Sequence, residues 1–174
     1  FSGITLGILS PEAIDTLLSE LRRARAAGKR VVFDPNIRPR IWTDRQTMLA
    51  RITDGARAAT LVLPSFDDET THFGDASIEA TIARYHGLGV EGVVVKNGEH
   101  GATLSFGGTP SFVPAVAATR VVDTTSAGDS FNGGFLSRLV RGASPEDAAA
   151  YGAAVASAVV GHHGALISPA LLPG

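Results

Sequence analysis

The strongest constraint in this chain is an alternation. Short runs of almost unbroken apolar residues, RVVFDP (30–35), TLVLP (60–64) and GVVVK (92–96), are separated by stretches whose apolar residues recur at helical spacing. In the first such stretch Ile14, Leu17, Leu18 and Leu21 fall at i, i+3, i+4 and i+7, behind a Ser10-Pro11 start and ahead of Gly28. A strand that alternates polar and apolar residues can leave one face in water. A continuously apolar strand cannot, and needs cover on both faces. The pattern implies an α/β fold, a three-layer α/β/α arrangement around a mostly parallel sheet.

Further elements follow the same logic. FSGITLGIL (1–9) contains a β-branched run, Ile4 to Ile8, that reads as a short buried strand. Thr43 and Gln46 form a capping-box pattern opening a helix that carries Met48, Leu49 and Ile52. A helix is expected over Asp75 to Gly87. ATLSF (102–106) and PSFVPA (110–115) read as an antiparallel pair joined by Gly107-Gly108. Two helices close the chain, about 127–141 and 145–160, the second opened by Ser144-Pro145.

Composition removes several classes of function. A net charge of −2 with interspersed signs offers no footprint for nucleic acid or for an anionic membrane. No apolar run approaches the roughly 18–20 residues of a membrane-spanning helix. The chain has no cysteine, so it holds neither a disulfide framework nor a thiolate metal site, which fits a cytoplasmic enzyme. It begins inside an apolar segment, with neither an initiator methionine nor a signal-peptide n-region. The 174 residues are therefore read as a fragment.

In mostly parallel sheets ligands gather beyond the carboxyl ends of strands. Four polar segments follow strands here: Asp34 to Arg38, Ser65 to Asp68, Lys96 to Gly101, and Asp123 to Asp129. The last, in VVDTTSAGDSFNGGF (121–135), is the most specific. Asp, Ser and Thr at a helix start can simply cap it. The functional reading is that the amides of Ala127, Gly128 and Asp129, at the positive end of a helix dipole, hold a phosphate. Gly128 then lets the anion approach the backbone, and the Asp129 carboxylate can accept a proton from an attacking hydroxyl.

DTTSAGDSFNGGF resembles the C-terminal signature of the ribokinase-like (PfkB) family of sugar kinases, usually written Asp-Thr-Thr-Gly-Ala-Gly-Asp, with Ser126 where glycine is commonest. No Walker-type loop occurs. FSGITLGIL, FDPNIRPRIW, LPSFDDE, VVVKNGEHGA and VVDTTSAGDSFNGGF stand in the order found in the 2-keto-3-deoxygluconate branch of that family, so the resemblance covers essentially the whole chain. It implies a length about twice this one, with an N-terminal part carrying a glycine-pair sugar signature and a β-sheet lid, and residues 1–174 as the C-terminal, nucleotide-binding half of a single domain.

The resemblance assigns roles segment by segment. Asp129 is the catalytic base, and Ser126, Ala127 and Gly128 form the anion hole. In FDPNIRPRIW (33–42), Asn36 lies near the transferred phosphate and Arg38 near substrate, although turn chemistry alone also explains Asp and Asn there. Arginine suits a carboxylate, which a sugar acid supplies. Trp42 is read as packing. In LPSFDDE (63–69), Ser65 and Asp68 occupy the places of a family Asn-x-x-Glu pattern, so Asp68 acts on magnesium through water, the plain alternative being a solvated acidic loop. Lys96, Gly98 and Gly101 border the nucleotide, unless KNGEHG (96–101) is only a hairpin turn. Ala154, Ser157 and Gly164 lie toward the base.

The implied reaction is ATP-dependent phosphorylation of a small sugar acid, 2-keto-3-deoxygluconate to its 6-phosphate, with ATP and Mg2+ required and a monovalent cation as an optional third. Fructokinase or another sugar kinase of the family is the alternative. A non-catalytic nucleotide-binding fragment is the alternative of another class, and the fragment alone is expected to be inactive. Expected partners are the sugar and ATP, not nucleic acid or membrane, with a homo-oligomer open for the intact protein.

Overall fold

The computed structural model describes residues 1–174, which divide into two compact units. The first comprises Phe1–Val95 with Ser105–Thr109, the second Lys96–Leu104 with Pro110–Gly174.

The first unit runs α1 (Gly3–Ile8), α2 (Pro11–Ala26), β1 (Val32–Phe33), α3 (Arg45–Ala58), β2 (Leu61–Val62), α4 (Phe66–Phe73), α5 (Ile78–Gly87) and β3 (Gly92–Lys96), whose last residue belongs to the second unit. Its strands are parallel, with Val32 opposite Leu61, Phe33 opposite Val62, and Val62 opposite Val93. Phe33, Leu61, Val62 and Val93–Val95 are buried and Val32 is half-buried, the cover that unbroken apolar strands require. Leu6, Leu18, Phe33, Ile52, Val62, Tyr85 and Val93 are buried in one cluster.

Three local readings are corrected. The run Ile4–Ile8 is not a strand but lies in α1, and only Ser2 bridges in parallel to Asp34. A capping box in which Ser2 and Thr5 serve each other's backbone amides turns the chain into a helix immediately. The crossing also demands Gly3, because a Cβ there would stand 1.9 Å from the Pro35 carbonyl oxygen. Local capping and packing thus override β-branched propensity. The cap of α3 is Asp44, whose carboxylate accepts from the Thr47 amide at 2.8 Å, one residue beyond the expected Thr43.

The third correction concerns the helix expected over Asp75 to Gly87, and its cause begins in LPSFDDE, which is mostly helix. Asp67, Asp68 and Glu69 fill the first turn of α4, where the helix dipole favours negative charge, and Gly74 in the left-handed region (φ 78°) ends it. The following helix accordingly begins at Ile78 behind Ser77, later than Asp75. Asp75 instead joins a buried cluster. Arg84 donates to Asp75 at 2.8 Å and to Glu69, Tyr85 donates to Glu69 at 2.9 Å, and Thr81 donates to Asp75 at 2.9 Å. Burial pushes the Glu69 carboxyl up, and Arg84 and Tyr85 oppose it.

The second unit contains β4 (Ala102–Ser105), whose last residue belongs to the first, and β5 (Ser111–Val113). The pair is antiparallel as expected, with Thr103 opposite Phe112. Helices α6 (Ala127–Leu139) and α7 (Pro145–Val160) follow and meet backbone to backbone. A Cβ on Gly134 would lie 2.9 Å from Cα of Gly152, so small residues set this approach. Phe131 and Phe135 are buried on the same side of α6, their rings 6.1 Å apart. No helix is long and apolar enough to cross a membrane.

Candidate functional site

The expected site residues divide between the two units. In the second unit the chain enters α6 through the DTTSAGD loop. Ser126 adopts the left-handed conformation (φ 61°), and its side chain caps nothing. The loop is ordered by Asp123 instead. Its Oδ1 accepts the Thr125 amide at 2.8 Å and its Oδ2 the Gly164 amide at 3.0 Å. The Thr125 hydroxyl, then the Thr125 and Gly164 amides, hold the Asp123 carboxyl down at about 2. Val122 and Asp123 also donate to the Val160 carbonyl, at 2.8 and 3.2 Å, so the loop is tied to the end of α7.

Among the first-turn amides of α6, that of Ala127 donates to the Thr124 carbonyl at 3.2 Å, and that of Ser130 closes on Ser126 at 2.8 Å. The amides of Gly128 and Asp129 lie between them at the positive end of the dipole. A share for Ala127 in an anion hole would require its bond to Thr124 to give way. The Asp129 side chain is exposed. Lys96, at the end of β3, reaches the same turn: its Nζ donates to Asn132 Oδ1 at 3.0 Å and would lie 3.5 Å from a Cβ on Gly128. Without a side chain at Gly128, an ammonium and the helix amides share one spot. That is the electrostatic arrangement an anionic phosphoryl group needs.

Asn132 is a candidate site residue that sequence reasoning misses. It is a buried amide on the helix face between two phenylalanines, and nothing local marks it as the partner of Lys96. Asp123 stands out in the sequence only as part of the motif, and its bond to Gly164, forty-one residues away, is tertiary.

The turn at Gly98–His100 is a single 3₁₀ turn, with Gly98 at φ 53° and Gly101 at φ 92°. The surroundings of the two glycines differ. A Cβ on Gly98 would meet nothing, whereas one on Gly101 would strike the Val113 carbonyl at 2.3 Å. Gly101 is thus required by the approach of the β5 strand, and Gly98 is the glycine that leaves open space. Ala154 and Ser157 are half-buried on α7, and Gly164 (φ 81°) is exposed and carries the amide bound by Asp123.

In the first unit the loop after β1 holds Asp34, Asn36 and Arg38. Asn36 takes the left-handed region (φ 35°), which Asn tolerates, while its amide donates to Asp34 Oδ1 at 3.1 Å. The exposed Arg38 donates to the Ile37 carbonyl at 2.8 Å. Asp68 projects from α4 toward this loop. Burial raises its carboxyl above the ordinary range, while the Arg38 charge and the Ile37 amide pull it down. No group of three or more His, Cys, Asp or Glu gathers as a metal cage. Magnesium that arrives with nucleotide phosphates needs only one or two carboxylates and keeps waters, so the half-buried Asp68 fits that lesser role. Trp42 is partly buried against the core, as its packing role requires. It also lines a cleft of about 320 Å³ with Pro39, Arg45, Met48 and His72.

The model of the pfkB family carbohydrate kinases matches residues 1–171. The chain is 41% identical to 2-dehydro-3-deoxygluconokinase of Escherichia coli (strain K12), over 99% of this chain and 57% of that protein. Its fold is similar to that of aminoimidazole riboside kinase from Salmonella enterica, solved with aminoimidazole riboside and an ATP analog, at a TM-score of 0.84 and 30% identity, covering 98% of this chain and 58% of that one. It is also similar to a protein of E. coli described as a ribokinase II and solved with ATP and Mg2+, at a TM-score of 0.80 and 26% identity, over 94% and 52% of the two chains. The chain therefore spans little more than half the length of the relatives it matches. With its DTTSAGD loop, its α/β architecture and these matches, the chain belongs to the pfkB family of carbohydrate kinases.

Proposed function

We propose that this chain carries the nucleotide-facing and proton-accepting parts of a kinase that phosphorylates 2-keto-3-deoxygluconate, also called 2-dehydro-3-deoxygluconate, at its primary hydroxyl. The observation that carries the reading is the placement of Lys96 Nζ against Gly128, at the helix turn that bears Asp129. The substrate class rests on the name of the relative with 41% identity. Arg38, exposed on the loop after β1, supplies a guanidinium suited to the sugar's carboxylate.

The sugar hydroxyl oxygen bonds to the γ-phosphorus as the bond from that phosphorus to the bridging oxygen of ADP breaks. The hydroxyl proton passes to the Asp129 carboxylate. The Gly128 and Asp129 amides, with the Lys96 ammonium, stabilise charge on the phosphoryl oxygens. Phosphoryl transfer depends mostly on such positioning and electrostatics. Magnesium bound with ATP adds charge neutralisation, and Asp68 is the side chain that would hold it, through water.

The test is a pair of assays on the full-length gene product. ADP release with ATP and Mg2+ is followed with 2-keto-3-deoxygluconate and with fructose, and the phosphorylated position is read by 31P NMR. The keto acid should be preferred by roughly a hundredfold or more in kcat/KM, a margin that a satisfied carboxylate contact can supply. A preference for fructose would redirect the assignment to another sugar kinase. Asp129→Asn should lower kcat by about 10²–10⁴ with ATP affinity nearly unchanged. Near-normal turnover would remove Asp129 as the base.

A further inference from the structure

Helix α4 is only eight residues long, too short to be stable by itself, and its N-cap Ser65 makes no side-chain capping bond. Its orientation must therefore come from tertiary contacts. Phe66 and Phe73 pack at its two ends against the core, which fixes its depth more than its rotation about its axis. Rotation is fixed by Glu69. This side chain is wholly buried, with one oxygen accepting from Arg84 and the other from Tyr85 Oη at 2.9 Å, both donors on α5. Arg84 is itself held. Its Nε and Nη2 donate to Asp75 at 3.1 and 2.8 Å, and its guanidinium lies 4.0 Å from the Phe73 ring centroid and 4.4 Å from that of Tyr85.

Neighbouring residues on a helix point about 100° apart. With Glu69 locked toward α5, Asp68 is carried round to the Asp34–Arg38 loop, where the Ile37 amide and the Arg38 charge act on it. A carboxylate at position 69 and one at position 68 thus have separate duties. One is spent inside the unit, and the other is presented.

We infer that Glu69, Arg84 and Tyr85 are positioning residues that set the rotation of α4 and thereby hold Asp68 where it serves the metal. The inference rests on the reading of Asp68 as the magnesium-facing side chain. Glu69 and Tyr85 are wholly buried and Arg84 is engaged with Glu69 and Asp75, so on this inference their effect on metal passes through Asp68.

The experiment uses the full-length gene product with ATP present and Mn2+ as a paramagnetic probe. Binding is read by electron paramagnetic resonance beside the Mg2+ dependence of turnover. The variants are Asp68→Asn, Glu69→Gln, Tyr85→Phe, Arg84→Lys and the double change Asp68→Asn with Glu69→Gln. Glu69→Gln and Tyr85→Phe should weaken Mn2+ binding and raise the half-saturating Mg2+ by several-fold to roughly tenfold, with the sugar KM unchanged. Arg84→Lys keeps a charge for Glu69 and should recover part of the loss expected from its removal. In the Asp68→Asn background, Glu69→Gln should add nothing. If Asp68→Asn weakens Mn2+ binding while Glu69→Gln and Tyr85→Phe only lower the melting temperature, the cluster is structural and the inference is overturned. If Asp68→Asn itself leaves Mn2+ binding intact, the reading of Asp68 is overturned and the inference with it. Tyr85→Phe removes one hydroxyl and keeps the ring, so it decides between the two outcomes if the charge-changing variants fail to fold.

Discussion

The Gly164 amide donates to the Asp123 carboxylate at 3.0 Å, so the turn after α7 is held by the first residue of the DTTSAGD loop. The other carboxylate oxygen takes the Thr125 amide. Asp123 therefore organises the loop from outside the helix, while Asp129, six residues on, is exposed where chemistry can reach it.

Asp123→Asn should reveal this in a pH series of thermal melts. The folded-state carboxyl lies at about 2, below the ordinary 3.8. A depressed carboxyl contributes stability that is fully present above 3.8 and is lost as pH falls through about 2. The variant should melt below the parent at about pH 6, and the gap should close between about pH 4 and 2. A gap independent of pH would show that the charge is not what orders the loop.

Lys96→Met should raise the KM for ATP and lower kcat/KM by roughly a hundredfold, comparable to the loss of one donor in an anion hole, with the sugar KM little changed. Asn132→Leu keeps the volume and removes the acceptor 3.0 Å from Lys96 Nζ, so it should give a smaller loss of the same kind. Steady-state kinetics on the full-length protein, varying ATP and sugar in turn, separates these effects.

Ser126 occupies the left-handed region at φ 61°, which costs a non-glycine residue about 1–2 kcal/mol. Glycine removes that cost but gives back about 0.5–1 kcal/mol through the freedom of the unfolded chain. Ser126→Gly should therefore stabilise by about 0.5–1 kcal/mol in urea unfolding, and Ser126→Val should destabilise by more than that. The order Gly, Ser, Val is the checkable result.

Gly133 and Gly134 are neighbours in α6 and should respond to alanine with opposite signs. A Cβ on Gly133 meets nothing, so Gly133→Ala should gain up to about 1 kcal/mol of helix propensity. A Cβ on Gly134 would press on the backbone of Gly152 at 2.9 Å, so Gly134→Ala should lose about 1–3 kcal/mol. Denaturant midpoints of the two variants decide it.

Much of this is legible in the residues because the information is local. The strand Gly92–Lys96, the helix start at Ser144-Pro145 and the antiparallel pair β4 and β5 appear where apolar runs, caps and glycines put them. The loops at Asp34, Ser65 and Lys96 can be found because they follow strands, whereas the DTTSAGD loop follows none, residues 114–126 lying outside any strand, and is found by its motif alone. What escapes is tertiary. The β-branched Ile4–Ile8 run is helical because Ser2 and Thr5 cap it and Gly3 alone fits the crossing. In the sequence Glu69 is one more acid in a loop, since Arg84 and Tyr85, which bury it, lie fifteen and sixteen residues away. Asn132 has the look of ordinary helix surface, and only the fold brings Lys96 beside it.

Gly3 has a consequence for how this chain tolerates change. The Pro35 carbonyl fills the place where a side chain would begin, and the Gly3 amide donates to Asp34 at 2.9 Å. Any substitution at position 3 must push the Asp34–Arg38 loop off its position. In a saturation screen scored by turnover, Gly3 should be nearly as unforgiving as Asp129, the proposed base, although it has no side chain to offer the reaction. Mutational sensitivity here would mark shape at one position and chemistry at the other, and only melting data would tell them apart.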